Sequence, residues 1–138
     1  MIILDTNVLL ALMRNVPDKH VVSWLDRQPQ GSIWITSISV LEFQFGLQIK
    51  PLGSQRTESS EQFARLLDSI YHRIAVFGEE AARLSANFTA SRQQNGEAAD
   101  LRDSMMAGIV LANHATLATR NTERFSNVGA RVVNPWME

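Results

Sequence analysis

The chain has no cysteine, which excludes disulfides, zinc–thiolate sites and thiol nucleophiles. Glycine is sparse at seven residues, no P-loop is present, and nothing resembles a phosphate-cradling loop. Long hydrophobic runs are missing as well: the longest early one, Val8 to Met13, is far too short to cross a bilayer. The apolar opening Met1–Leu4 has no Lys or Arg before it and is interrupted by Asp5, so the expectation is a cytoplasmic protein without a signal peptide or membrane partner. No surplus of one charge exists, with 13 basic against 14 acidic residues and a net charge of −1. Any affinity for nucleic acid must therefore come from local patches. Lysine is scarce: eleven of the thirteen basic residues are Arg, suited to bidentate phosphate contacts and equally to ordinary solubility. His20, His72 and His114 are scattered without metal-binding spacing, and Ser37, Ser39 and Ser104 lie in no nucleophile elbow.

What is present is ordinary globular material. The 138 residues, 45% hydrophobic and 20% charged, fit a single domain over 1–138 with a sizeable core. The pattern alternates between short apolar strands and helical stretches. Strands are expected at Met1–Leu4, Ile33–Ile35, Ile74–Phe77, Thr116–Thr119 and Val132–Val133. Helices are expected at Asn7–Arg14, Asp18–Arg27, Ser37–Ile49, Glu61–Tyr71, Glu79–Gln94 and Leu101–His114. The polar stretch Gly53–Ser59 reads as a mobile loop or a frayed helix start. Strands separated by helices argue for parallel pairing with right-handed crossovers, giving an α/β fold: a three-layer α/β/α sandwich around a mainly parallel, roughly five-stranded sheet.

Three acids stand at the margins of apolar segments: Asp5 after Ile2–Leu4, Glu42 inside Val40–Phe43, and Asp103 before Met105–Val110. Carboxylates seldom sit there unless something offsets their desolvation. Brought together they repel, by about 4 kcal/mol for two unit charges ~4 Å apart at an effective dielectric near 20. A divalent cation is the simplest counter-charge, and oxygen-only ligands favour Mg²⁺ or Mn²⁺. The topology supports convergence, because open parallel sheets bind ligands beyond the carboxyl ends of their strands. Asp5 ends the first strand, Asn121 follows the fourth by two residues, and Glu42 and Asp103 are expected in the first turns of their helices.

Plainer readings stand beside these. Asp5 is an equally good helix cap. Ser39 with Glu42, and Asp100 with Asp103, match capping boxes, and acids in a first helical turn suit the helix dipole. Arg102 and Arg120, near the rim, read as partners for RNA phosphates or as surface ion-pair partners. Val8, Leu9, Leu12 and Trp24 read as core, or as one side of an apolar groove for a partner.

The ordered set Ile3-Leu4-Asp5-Thr6-Asn7, Ser37–Glu42, Asp103 with Met106-Ala107-Gly108, Leu117–Asn121 and Val132–Trp136 resembles a PIN domain of the VapC and FitB group of toxin–antitoxin ribonucleases, across almost the whole chain. The resemblance implies a Mg²⁺- or Mn²⁺-dependent endoribonuclease. Such a protein is a dimeric bacterial toxin, neutralised by a cognate antitoxin and linked to DNA only through it. The family's first three acids fall on Asp5, Glu42 and Asp103, and its strand-ending hydroxyl on Thr119. The fourth acid falls on Asn121, which adds no charge. Glu123 is the nearby carboxylate that would replace it, and Asp100 is a further supporting acid. Asn121 thus lowers the negative charge offered to a second metal, and a catalytically weakened domain that acts mainly by binding a partner is the alternative. Asp5 and Asp103 would hold a metal, and Glu42 would ligate it or orient the attacking water. Thr6 and Thr119 are suited to hydrogen-bonding the carboxylates. An acid-lined rim also suits an antitoxin that inserts an Arg among the carboxylates.

Overall fold

A computed structural model describes residues 1–138. Five strands, β1 (Ile2–Leu4), β2 (Ile33–Thr36), β3 (Ile74–Ala75), β4 (Thr116–Ala118) and β5 (Val132–Val133), form one sheet of order β3-β2-β1-β4-β5. Every pairing is parallel. The central β1 holds Ile2 opposite both Ile33 and Thr116. Its side chains alternate: Ile3 joins one apolar cluster and Leu4 the other, as do Leu117 and Ala118 on β4, the period-two pattern of a strand buried on both faces.

Six helices cover the sheet: α1 (Thr6–Leu12), α2 (Lys19–Asp26), α3 (Ser37–Ile49), α4 (Ser54–Ser69), α5 (Glu79–Gln94) and α6 (Leu101–Ala112). One layer is built by α5 and α6, with Ala81, Phe88, Met106, Ala107, Ile109 and Val110 packed on Ile3 and Leu117. The other is built by α1, α2 and α4 through Val8, Leu9, Val21, Trp24 and Phe63 on Leu4, Ile35 and Ala118. Val8, Leu9 and Trp24 are thus core, not the wall of a partner groove.

Of the two readings of the polar stretch 53–59, the helix start holds and the loop does not: α4 begins at Ser54, directly after Gly53 at φ 154°. Its polar surface is tied to α3, with Lys50 Nζ donating to Ser59 Oγ (3.1 Å) and Arg56 to Gln48 (2.9 Å), while Phe63 stacks on Phe43 at 4.2 Å between ring centroids. A helix without an apolar face at its start is held there by its neighbour, which periodicity alone does not register. β3 is shorter than expected, stopping at Ala75, because Val76 is already exposed and Phe77 turns its N–H to Ser37 Oγ (3.1 Å).

Chain order relative to sheet order positions the site. From β1 the chain moves to β2 and β3 on one side, then crosses to β4 and β5 on the other. The connections leaving β1 and β4 therefore diverge, opening a crevice beyond their carboxyl ends. Asp5 and Thr119 are the residues that follow those two strands.

Candidate active site

Asp5 is both cap and site residue. Its backbone N–H continues the sheet by donating to Ala118 O (2.9 Å), and its side chain caps α1 through Thr6 N–H (2.8 Å). The carboxylate is 1% exposed, so each oxygen needs partners. Oδ2 accepts from Thr119 Oγ1 (2.7 Å) and, more weakly, from Asn7 Nδ2 (3.4 Å). Thr119 Oγ1 in turn accepts from Asn121 N–H (3.1 Å) and Asn7 Nδ2 (3.3 Å). One buried hydroxyl thus ties the end of β4 to the end of β1.

Glu42 enters from α3, but in its second turn rather than its first, because α3 starts at Ser37 and is capped by Thr36 through Ser39 N–H (3.1 Å). Ser39 and Glu42 therefore form no capping box. Ser39 Oγ instead pairs with Thr6 Oγ1 (2.9 Å), and Thr6 Oγ1 donates to Glu42 Oε1 (2.8 Å). Asp103 enters from the first turn of α6, its N–H bonded to the Asp100 cap (3.1 Å). Three carboxylates from three separate elements thus meet at the crevice.

The group they meet is Arg102. Its Nη2 donates to Asp5 Oδ1 and to Thr6 Oγ1 (3.1 Å), its Nε to Glu42 Oε1 (2.9 Å), and its Nη1 to Asp103 Oδ1 (3.1 Å). One planar fork answers all three acids, a geometry that an ammonium would not reproduce. Burial alone would weaken Arg102's hold on its proton, but the charges and hydrogen bonds of Asp5 and Glu42 outweigh it and raise its pKa above the ordinary value. Burial pushes the Asp103 carboxyl up, against the pull of Arg102, with Asp100 adding to the rise. Arg124 stands 3.6 Å from Asp103 Oδ2 and is largely exposed, a looser second counter-charge.

Other proposed site residues lie apart. Asn121 and Glu123 are exposed and engage none of the three acids, and Arg120 lies with its guanidinium 4.9 Å over the Trp136 ring while its N–H donates to Asn7 Oδ1 (3.2 Å). Of the two readings of Arg102, the ion-pair partner is the one seen, with the pairing among the three acids rather than on the open surface. Asn7, Ser39 and Arg124 are additions. Asn7 sits inside the quoted Asp5-Thr6-Asn7, so its place beside Asp5 was available as a signal; the other two depend on tertiary contact. A cavity of about 210 Å³ adjoins Asp103 alone of the three acids, lined also by Phe88, Arg92, Asp100 and Arg124. The largest cavity, about 620 Å³, holds none of the three acids; converging charge marks this site, not volume.

A PIN-domain family model matches residues 2–131. The chain belongs to the PIN-domain family. Its relatives lie in the VapC and FitB group. It is 34% identical to a plasmid stability protein, StbB, of Pseudomonas syringae pv. tomato over 99% of both chains. It is 32% identical to the VapC ribonuclease Y4jK of Sinorhizobium fredii, over 99% of this chain and 98% of that one. The crystal structure of FitAcB from Neisseria gonorrhoeae superposes with a TM-score of 0.87 at 29% identity, covering both chains in full.

The PIN-domain donor set is carboxylate and hydroxyl oxygen alone, which suits Mg²⁺ or Mn²⁺ over zinc. No group of three acids in this structure is arranged to hold an ion. The guanidinium takes the position of the counter-charge, and one such charge leaves the three carboxylates in surplus.

Proposed function

We propose that this PIN domain is the ribonuclease toxin of a toxin–antitoxin pair, a Mg²⁺- or Mn²⁺-dependent endoribonuclease. The observation that carries the reading is the convergence of Asp5, Glu42 and Asp103 on a single guanidinium at the crevice beyond β1 and β4. The ribonuclease named among the relatives supports the reaction class. When bound, a divalent cation supplies a Lewis acid for the phosphoryl oxygens and makes water a competent nucleophile near neutral pH.

The protein's own residues do the positioning. Asp5 and Asp103 would hold the cation, Asp5 kept in orientation by Thr119 and by the cap of α1. Glu42 Oε1 is committed to Thr6 and Arg102, whereas Oε2 carries no protein hydrogen bond and is free to orient the attacking water and accept its proton. Water would add to phosphorus, its proton passing to Glu42, as the bond to the leaving ribose oxygen breaks and that oxygen takes a proton from solvent. Arg124, at the mouth of the cavity beside Asp103, supplies positive charge for the RNA backbone. The exposed Leu41, Phe45 and Ile49 recur every fourth residue on α3, an apolar face suited to a protein partner, whether a second copy or the antitoxin. The seated Arg102 and the neutral Asn121 favour, as a second reading, a PIN domain of weak activity that acts through its partner.

The test is cleavage of total RNA with Mg²⁺ or with EDTA, by wild type and Asp5→Asn, with folding checked by circular dichroism. Wild type should cut only with metal. Asp5→Asn should stay folded and cut at least about a thousandfold more slowly, roughly 4 kcal/mol of barrier. Cleavage that survives EDTA, or that persists at wild-type rate in the variant, overturns the metal-dependent reading. A folded, metal-supplemented wild type that cuts nothing favours the partner-binding reading.

A further inference from the structure

We infer that Arg102 is an exchangeable internal counter-ion: its guanidinium and a divalent cation compete for the same carboxylate oxygens, so that binding of the cation unseats Arg102. The inference rests on the reading of these acids as a cation site, and deepens it.

The hydrogen bonds show why the two occupants exclude each other. Asp5 Oδ2 is taken by Thr119 and Asn7, whereas Oδ1, which also accepts from Thr6 N–H, is the oxygen that Arg102 Nη2 holds. Glu42 Oε1 and Asp103 Oδ1 are held by Nε and Nη1 of the same side chain. Three nitrogens of one plane thus claim one oxygen from each acid. A dication among those oxygens would face a fixed positive charge at contact distance, and the two repel.

Arg102 is also built to leave. Every hydrogen bond of its guanidinium goes to the three acids or to Thr6. None goes to a backbone carbonyl, and no aromatic ring stacks on it. Its side chain is 25% exposed and rises from the first turn of α6, beside the exposed Leu101. Rotation about its own stem frees it without moving a core residue. Arg73 and Arg92, by contrast, are pinned by backbone carbonyls.

Competition has a consequence that a merely structural arginine lacks. Removing Arg102 should make the metal-free protein less stable, because three carboxylates then face each other with only the looser, exposed Arg124 beside Asp103. The same change should make cation binding tighter, since the apparent affinity of a site is reduced by the fraction of time it is closed. A structural role predicts losses in both.

Calorimetric titration of Mn²⁺ into wild type, Arg102→Gln and Arg102→Lys, paired with thermal melts in EDTA, reads both effects. Arg102→Gln should bind Mn²⁺ about tenfold more tightly or better while melting lower than wild type in EDTA. Arg102→Lys, which keeps the charge but loses the fork, should fall between. Unchanged or weaker Mn²⁺ affinity in Arg102→Gln, with wild type binding normally, overturns the exchange and leaves the cation site standing. If Arg102→Gln does not fold in EDTA, Arg102→Lys decides: tighter binding than wild type supports the exchange, and equal or weaker binding overturns it. Absence of Mn²⁺ binding in every protein sinks the cation reading itself, and the exchange with it.

Discussion

Helix α6 belongs to two regions built on opposite principles. Along its middle, the seam with α5 is apolar and closed: Met106, Ala107, Ile109 and Val110 are fully buried. At Gly108 a Cβ would fall 2.0 Å from Ser85 Oγ and 2.1 Å from the Ala81 carbonyl. At its start, the acid rim is polar and compensated by charge, with Asp103 and Arg102 on consecutive residues. The seam derives its order from shape, which tolerates no added atom. The rim derives its order from hydrogen bonds and opposing charges, which can be traded for others of like sign. A rigid seam immediately behind an exchangeable rim lets Asp103 be held in place while its counter-charge changes.

The largest effect should come from breaking the seam. Gly108→Ala sets a methyl against backbone, which no rotamer change relieves, and should cost about 3 kcal/mol or more. Chemical denaturation would measure it, and a loss below about 1 kcal/mol would mean that α5 and α6 separate easily. A smaller effect is expected at the join of strand and rim. Thr119→Val keeps the shape of a fully buried side chain but removes the donor to Asp5 and the acceptor for Asn121. Cleavage should fall about 10- to 100-fold, the usual cost of losing a group that orients a ligand, with the helical circular dichroism unchanged. Wild-type turnover would show that Asp5 is held well enough by Thr6 and Asn7.

The smallest effect lies at Asp103 and is a pH dependence. Its folded-state pKa is raised above the ordinary 3.8 by burial. Its contribution to stability is therefore complete below about pH 3.8 and is lost as pH rises through the raised value. Asp103→Asn removes that loss and keeps most of the capping ability. In EDTA the variant should gain on wild type in melting temperature as pH is taken from acid to neutral. A gap that is constant with pH, or that moves against the variant, would show that Arg102 compensates Asp103 fully.

The sheet was legible because β1, β2 and β4 are buried, and a buried strand has to be apolar whatever it packs against. The acids were legible for the converse reason: Asp5 and Asp103 interrupt segments that would otherwise be continuous core. Arg102 was not. An arginine beside an aspartate in the first turn of a helix reads as a solvated residue, and nothing local distinguishes it from Arg120, which the structure places over Trp136 instead. The start of α4 stood between loop and helix because the side chains that fix it are polar and reach across to α3. The bounds of α3 were legible, but the Ser39–Glu42 capping box set Glu42 a turn too early; the cap is Thr36, which ends β2 and leads directly into the helix.

By itself the sequence determined the alternation of strands and helices, the parallel sheet and the order in which three acids occur along it, since these depend on the polarity of each residue and on spacing within a segment. Tertiary structure alone decided which oxygens face one another, that Ser39 and Arg124 join the network, and that the first counter-charge is supplied from within. Those are matters of distance between side chains drawn from four elements. A long, flexible arginine finds its partners only after the elements that carry them have packed.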